Sequence, residues 1–384
     1  MMVALAAMPS IPRMRGLTLG RGSGRTSIRV AVRSGSLRDA ARSLTIRKAD
    51  QYMAPRQDDA IGRTFGKIGP RLLVRGGFLA YFIFISIRLL QFRAWALGTG
   101  DFVPRPEAVA GLLPIGSYMS FFLWLKTGFF DPVLPAGIVI IIGALVTSLL
   151  FKRGFCGWIC PVGTVWEGAA WLGRKVLGRD NFRFPRWFDL ALRALRYALA
   201  AALMVWLAKV SVAEAMSFQQ TPYYATVDAK MLLLFAAPVY LAVIALAFVS
   251  MMLLGNVWCR YLCPLGGLYG ACGVASACTV VRDAEKCIDC GKCAKACHAA
   301  VPVDTLKSVR APECDGCQDC VRACPAEGAL TSRVFGRFTF PWWVWPLAVV
   351  AVWLLVYGIA VGTGHWHSQL PIEVFGQFMR IPGL

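Results

Sequence analysis

The sequence predicts an α-helical polytopic membrane protein with about five transmembrane helices and a small cysteine-rich α+β module. The 384-residue chain is 57% hydrophobic, with a mean hydropathy of +0.56. Soluble globular domains are about 45–50% apolar. All 14 cysteines lie between residues 156 and 324. The apolar excess therefore indicates spanning helices, and the clustered cysteines indicate one metal-binding or redox region.

Five apolar stretches are long enough to cross a bilayer, which needs about 20 mostly apolar residues in a helix. A sixth stretch, Leu112 to Leu125, is short and contains Pro114 and Gly116, which favours a re-entrant or interfacial segment. The five predicted spans are 78–97, 133–151, 190–208, 231–254 and 341–361.

Lys and Arg residues are distributed unevenly between the segments that flank these spans. Residues 1–75 carry 15 of them and residues 152–196 carry 9, whereas 98–132, 209–230 and 362–384 together carry 5. Positive charge marks cytoplasmic segments, so we expect the N-terminus and all cysteines on the cytoplasmic side of a bacterial cytoplasmic membrane. This topology accounts for much of the net charge of +20, and no nucleic-acid binding is expected.

These features predict four parts of the chain. The first part, residues 1–75, is rich in Arg and Ser, which is typical of disorder. A transit peptide and a translation start at Met53 are open alternatives for this part. The parts are a basic disordered cytoplasmic segment (1–75), a four-helix membrane region (76–254), a cytoplasmic cysteine-rich module (255–338), and a fifth helix with a short periplasmic tail (339–384).

Two identical C-x2-C-x2-C-x3-C motifs begin at Cys287 (CIDCGKCAKACH) and Cys314 (CDGCQDCVRACP). In bacterial ferredoxins, three such thiolates hold one [4Fe-4S] cluster and the fourth ligates the other cluster. Zinc sites use two separated pairs instead. We therefore predict a bacterial-ferredoxin-like twin module with two [4Fe-4S] clusters. The ligands are Cys287, Cys290, Cys293 and Cys324 for cluster 1, and Cys314, Cys317, Cys320 and Cys297 for cluster 2.

His298 stands where proline usually follows the fourth cysteine, and we expect it to be an exposed surface residue. The alternative is that it hydrogen-bonds a cluster. Gly291 and Gly316 would let backbone amides approach the cluster sulfurs.

A second repeat lies directly after two of the predicted spans. Elbow 1 (Phe155–Gly163) reads FCGWICPVG, and elbow 2 (Trp258–Gly266) reads WCRYLCPLG. Three interpretations of these thiols are open: a further cluster or metal centre, redox-active dithiols, or packing residues. Cys272 and Cys278 match no ligand spacing, so we expect them in the core. The elbow thiols are Cys156, Cys160, Cys259 and Cys263.

Paired CxxxCP elbows followed by a twin four-cysteine module resemble the NapH/NosR/YccM family of membrane ferredoxin-type proteins, over residues 76–340. The resemblance implies electron exchange with membrane quinol and transfer through Fe-S centres towards periplasmic reductases. It also implies that the elbow cysteines correspond to the elbow cysteines of the family and the module cysteines to its cluster ligands. We expect the minimal form, closest to NapH or YccM, without the flavin domain of NosR-type members or the C-terminal periplasmic domain of the CcoG/RdxA type.

The expected function is electron transfer, as a candidate quinol dehydrogenase subunit working between quinone and a periplasmic reductase, a cytochrome or a cytoplasmic ferredoxin. The alternative is an assembly or maturation factor that reduces a metal or thiol for another enzyme. Quinol oxidation needs a nearby proton acceptor, for which Glu167 and Arg88 are weak candidates.

Two further expectations concern histidine and tryptophan. No haem is expected, because bis-His ligation needs histidines within the spans. Trp342, Trp343 and Trp345 are expected in an interfacial aromatic belt. The three histidines are His298, His365 and His367.

Overall fold

The computed structural model describes residues 70–178, 182, 184–236, 238–255 and 257–381. The predicted disorder of the N-terminal segment, up to residue 69, and the alternative start at Met53 therefore lie outside the described residues.

Helices make up most of the described chain, and many begin with proline, whose missing N–H is not needed in the first turn. A 3₁₀ turn covers Glu107–Leu112, and π-helical turns cover Phe155–Ile159 and Trp258–Leu262. The helices are α1 Pro70–Ala96, α2 Pro114–Thr127, α3 Pro135–Phe151, α4 Pro161–Leu177, α5 Arg186–Lys209, α6 Val212–Gln219, α7 Pro222–Ala236, α8 Pro238–Leu254, α9 Pro264–Val274, α10 Lys292–Ala296, α11 Asp319–Ala323, α12 Val344–Gly362 and α13 Ile372–Arg380.

Three helices in the described part of the chain are long and apolar enough to cross a bilayer. They are Arg71–Ala96 in α1, Trp187–Lys209 in α5 and Val344–Gly362 in α12, at the first, third and fifth predicted spans. At the second and fourth positions, α3 and α8 are apolar but only 17 residues long. The chain is thus mostly helical with three candidate spans, and the count of five stays a prediction.

The two elbows have the same backbone path. Each consists of a π-helical turn, then an extended cysteine, then a proline that starts the next helix. The extended residues are Cys160 (ψ 117°) and Cys263 (ψ 110°). Proline disfavours the helical conformation in the residue before it, so the Cys-Pro sequence itself produces this bend. The sequence repeat is therefore also a structural repeat.

The cysteine-rich module contains a three-stranded antiparallel sheet in the order β1-β2-β3. The strands are β1 Cys278–Arg282, β2 Leu330–Val334 and β3 Phe338–Phe340. The short helices α10 and α11 pack against each other. Their core is formed by small β-branched and aliphatic side chains, including Val280, Val303, Val309 and Leu330.

The second cysteine motif packs directly on elbow 1. The backbone N–H of Arg153 donates to the carbonyl of Cys314 (3.4 Å), and Trp158 Nε1 donates to the carbonyl of Gly316 (3.2 Å). Gly157 faces the backbone of Asp315 without room for a side chain. The module is therefore held against the bundle through its second motif.

Trp345 strengthens this contact from α12. It is fully buried, stacks on Phe340 with 5.7 Å between ring centroids, and contacts Gly316. Trp342 is also buried. The aromatic-belt prediction is therefore wrong for these two residues, because their rings pack inside the protein instead of facing an interface.

Gly157→Ala should destabilise the protein, because the added Cβ would collide with the backbone carbonyl oxygen of Asp315. Overpacking of this kind costs about 1–3 kcal/mol. Gly168→Ala is the matched control: Gly168 is exposed in α4 with open space around it, so alanine should be neutral or stabilise the helix. Thermal unfolding in detergent measures both. Equal melting temperatures for the two variants would contradict the packing of elbow 1 on the module.

Candidate iron–sulfur and elbow sites

Four cysteines drawn from both motifs line one small apolar cavity in the module. Cys297 comes from the first motif and the other three from the second, so the structure brings together the interleaved set predicted for cluster 2. Val280, Val301 and Val309 form part of the wall. Whether these thiols ligate a cluster stays a prediction. We call this set site 2: Cys297, Cys314, Cys317 and Cys320.

The second predicted set lies nearer the surface. Cys290 is exposed, whereas Cys293 is buried and packs in the same core as Cys324. Cys293 and Cys320 are close enough for the charge of one to raise the pKa of the other, so the two sets adjoin. We call this set site 1: Cys287, Cys290, Cys293 and Cys324.

Both motifs fold into the same loop. The residues two and four positions after the first cysteine have left-handed backbones: Asp289 (φ 51°) and Gly291 (66°), then Gly316 (69°) and Gln318 (65°). This alternation turns successive backbone N–H groups towards one side and forms an anion-binding concavity of the kind found at Fe-S sites. A thiolate-ligated cubane is anionic, so both loops fit a [4Fe-4S] cluster.

The two elbows bring their thiols together. In each of the six pairs, the charge of one sulfur raises the pKa of a thiol at Cys156, Cys160 or Cys259, so all six pairs lie within electrostatic range. No disulfide joins these cysteines. The two elbows are at least 99 positions apart in the chain, yet their cysteines form one four-thiol cluster. We call it the elbow site: Cys156, Cys160, Cys259 and Cys263.

The second cysteine of each elbow occupies the N-cap position of the helix that follows. Cys263 Sγ accepts the backbone N–H of Gly266 (3.3 Å). Backbone N–H groups of Val162 and Gly163 stabilise the Cys160 thiolate and lower its pKa, although burial raises that pKa more strongly. A helix N-terminus favours negative charge. Each elbow therefore offers one thiolate stabilised by a helix end.

A small cavity of about 40 Å³, lined mainly by charged residues, borders Cys156 and Cys259. Arg153 and Arg196 also line it, and each has a buried Nε without a hydrogen-bond acceptor among the described residues. Unsatisfied buried donors are costly. An anionic group at the elbow site, such as a thiolate-bound metal, would satisfy them. The donor set therefore fits a metal centre held by the elbow thiols.

Burial raises the pKa of Cys156 and of Cys259 well above the ordinary thiol value, even though Arg153 lowers both. Redox-active dithiols need a lowered pKa and access to substrate. The dithiol interpretation of the elbows is therefore weakened. Metal binding is compatible with these thiols, because a metal displaces the thiol protons.

A buried charge network joins α1, α4 and the module. Arg71 donates to both carboxylate oxygens of Glu167 (2.8 Å each), to Asp319 (2.8 Å) and to Asp315 (3.4 Å). Arg75 also pairs with Glu167. The network places ion pairs directly beside site 2 and the elbow site.

Glu167 and His298 differ from their expected positions. Burial would raise the pKa of Glu167, but His298, Arg71 and Arg75 outweigh it and lower that pKa, so Glu167 is a weak proton acceptor. His298 is only 20% exposed and pairs with Asp315 at 2.9 Å, so the prediction of an exposed histidine is wrong. Arg88 is half-buried and has no ion pair among the described residues.

Arg71→Met should destabilise the protein by about 1.5–3 kcal/mol, because its charged hydrogen bonds to Glu167, Asp315 and Asp319 are lost while Arg75 and His298 still pair with two of these carboxylates. Arg88→Met, on the same helix, is the control and should change stability by less than about 0.5 kcal/mol. Denaturant unfolding in detergent compares them. Similar losses in both variants would show that the network does not hold the module to α1.

Comparison with protein families gives two matches. A model described as "4Fe-4S binding domain" matches residues 133–180 and 235–273, which contain both elbows. A model described as "4Fe-4S dicluster domain" matches residues 279–325, which contain sites 1 and 2. No solved structure matches the chain.

Among curated proteins, the chain is 37% identical over 283 residues to YccM of Escherichia coli (strain K12), whose name describes it as an electron transport protein. The match covers 71% of this chain and 79% of YccM. The chain belongs to the NapH/YccM-type ferredoxin-type proteins. It is 27% identical to "Ferredoxin-type protein NapH" of E. coli over 54% of this chain and 76% of NapH. It is 30% identical to "Methylamine utilization ferredoxin-type protein MauN" of Methylorubrum extorquens over 50% of this chain and 65% of MauN.

Membership of the NapH/YccM type confirms the family resemblance predicted from the two motifs. Together with the three candidate spans, it makes the chain a membrane protein with iron–sulfur binding domains and an electron-transfer role.

Sequence reasoning missed Arg71, Arg153 and Arg196, which surround the elbow site and site 2. One signal was present: each lies at the edge of, or inside, an apolar segment, where a charged residue usually has a partner. Their partners lie far along the chain, with 244 positions between Arg71 and Asp315, so no local pattern reveals them.

Proposed function

We propose that this chain relays electrons between the quinone pool and a partner redox protein. The observation that carries the proposal is the serial arrangement of three cysteine sites. Site 1 reaches the surface at Cys290, site 2 adjoins it, and elbow 1 packs on the loop of site 2 through Gly157 and Asp315. Such a series supports a route between the membrane and a surface where a partner binds.

In this proposal, sites 1 and 2 each hold one [4Fe-4S] cluster, and the elbow site holds a further metal centre. When bound, such centres accept and release one electron at potentials set by charge, hydrogen bonds and exposure. The protein's part is to fix the thiols, aim backbone N–H groups at them, and keep site 2 dry with valine side chains.

The proposed topology follows the charge distribution. Along the chain, the module of residues 255–338 lies between membrane region 76–254 and the C-terminal part 339–384. The module and segment 1–75 both face the cytoplasm of a bacterial cell. The partner is a periplasmic reductase, a cytochrome or a cytoplasmic ferredoxin. The relatives NapH and MauN are named as ferredoxin-type proteins, which supports a role in which this chain passes electrons to a partner protein.

The test is stopped-flow mixing of anaerobically purified protein with a menaquinol analogue, followed by cluster absorbance. We expect quinol to bleach a substantial part of the absorbance that dithionite bleaches. Reduction by dithionite alone would overturn the relay from quinol.

An assembly or maturation role is the second candidate, and the elbow site favours it. Four close thiols with unsatisfied arginines beside them would also hold a metal in transit. Copper or another exchangeable metal at the elbow site, together with no reduction by quinol, would support this role over the relay.

A further inference from the structure

A cleft of about 870 Å³ lies between the module and the helical bundle. Phe182, Phe184 and Leu254 make part of its lining apolar. Asp189 and Tyr261 make another part polar. Binding sites for small amphipathic molecules combine apolar walls with a few fixed polar groups.

The polar part of the cleft is rigidly arranged around Asp189. Its carboxylate accepts the Tyr261 hydroxyl (2.6 Å), two N–H groups of Arg260 (2.9 and 3.0 Å) and Arg193 Nη2 (2.8 Å). Arg260 also donates to the carbonyl of Ala299 in the module (2.5 Å). Both arginines are therefore held in ion pairs with Asp189.

The cleft adjoins one end of a candidate membrane span and one end of a shorter apolar helix. Asp189 is close to Trp187, the first residue of a candidate span, and Leu254 is the last residue of the apolar helix α8. The nearby surface is apolar: Phe182 is 59% exposed, Trp187 73% and Leu190 61%. A ligand with a polar head in the cleft could therefore extend an apolar tail into lipid.

The cleft also reaches two of the cysteine sites. Cys297 of site 2 lines it directly. Glu167, Arg260 and His298 line both the cleft and the small cavity beside Cys156 and Cys259 of the elbow site. A ligand here would lie next to both sites without contacting solvent-exposed Cys290.

We propose that this cleft binds the headgroup of a membrane quinone, an inference that rests on the proposed function. The Tyr261 hydroxyl, which donates to Asp189, accepts a hydrogen bond from a quinol hydroxyl on its oxygen. Lys295, which lines the cleft and has no ion pair in the described part of the chain, donates to a quinone carbonyl. The ring packs against Phe182 and Phe184.

The test is photolabelling of the full-length membrane protein with an azidoquinone, followed by mass spectrometry of the labelled peptides. We expect label on peptides that carry Phe184 or Lys295, and displacement by excess quinol analogue. Lys295→Met should lower labelling about tenfold, because the carbonyl of the azidoquinone loses its hydrogen-bond donor. Thr305→Trp, at the exposed rim of the cleft, should block labelling by size. Glu327→Trp, exposed elsewhere on the module, should leave it unchanged.

The outcomes separate the two proposals. The inference is supported if the label is found in the cleft and if both variants lower the labelling while keeping the iron content of the wild type. This holds even if quinol reduces no cluster. Unaltered labelling in both variants, while quinol still reduces wild-type clusters, overturns the inference and leaves the relay intact. Displacement of the label by anionic phospholipid but not by quinol analogue would make the cleft a lipid site and also overturn the inference.

Discussion

Cys297→Ala is expected to remove the same cluster as Cys317→Ala, so each purified variant should contain about four fewer irons than the wild type. The reason is spatial: Cys297 follows the first motif in the chain but lines the cavity of site 2. Iron and labile-sulfide quantitation on anaerobically purified protein, with EPR of the remaining cluster, measures the loss.

Two further variants sharpen this experiment. Cys290→Ala, in site 1, should remove the other cluster and leave a different EPR signal. Cys272→Ala is the matched control, because Cys272 is half-buried in α9 and belongs to neither set. If Cys297→Ala left the signal that Cys317→Ala leaves, interleaving would be supported. If it instead matched Cys290→Ala, each motif would hold its own cluster and the assignment would be wrong.

Cys156→Ala and Cys259→Ala are each expected to remove any metal beyond the two module clusters, to less than about a tenth of the wild-type excess. Each elbow contributes two of the four thiols, so loss of one breaks the ligand set from either side. The module should keep its iron, because sites 1 and 2 contain none of these residues. Metal analysis of the purified variants measures both quantities.

Cys278→Ala is the control for this second prediction. Cys278 is buried in β1 and belongs to none of the three cysteine sites. It should change stability without changing metal content. If the wild-type protein held about eight irons and no other metal, and the elbow variants had the same metal content, a metal centre at the elbows would be contradicted. That result would favour the packing interpretation.

Regular spacing made the cysteine sites predictable. The two four-cysteine motifs repeat with fixed intervals. Gly291 and Gly316 have positive φ angles, a backbone conformation that glycine adopts more readily than other residues. The elbows were predictable because a Cys-Pro pair bends the chain locally. These features depend on residues within about ten positions of one another.

Features that depend on distant residues could not be predicted in this way. Trp345 resembles an interfacial tryptophan in sequence, but a partner as remote as Gly316 buries it. His298 and Glu167 resemble surface residues until Asp315 and Arg71 are placed beside them. The number of spans was also underdetermined, because α3 and α8 are apolar yet shorter than a typical span.

The central claim is that sites 1 and 2 hold two [4Fe-4S] clusters that exchange electrons with membrane quinol. Low-temperature EPR with iron quantitation on anaerobically purified protein, after reduction by a menaquinol analogue or by dithionite, tests it most directly. The claim predicts at least about eight irons per chain and reduced-cluster signals with either reductant. About four irons, zinc in their place, or signals that arise with dithionite alone would contradict it.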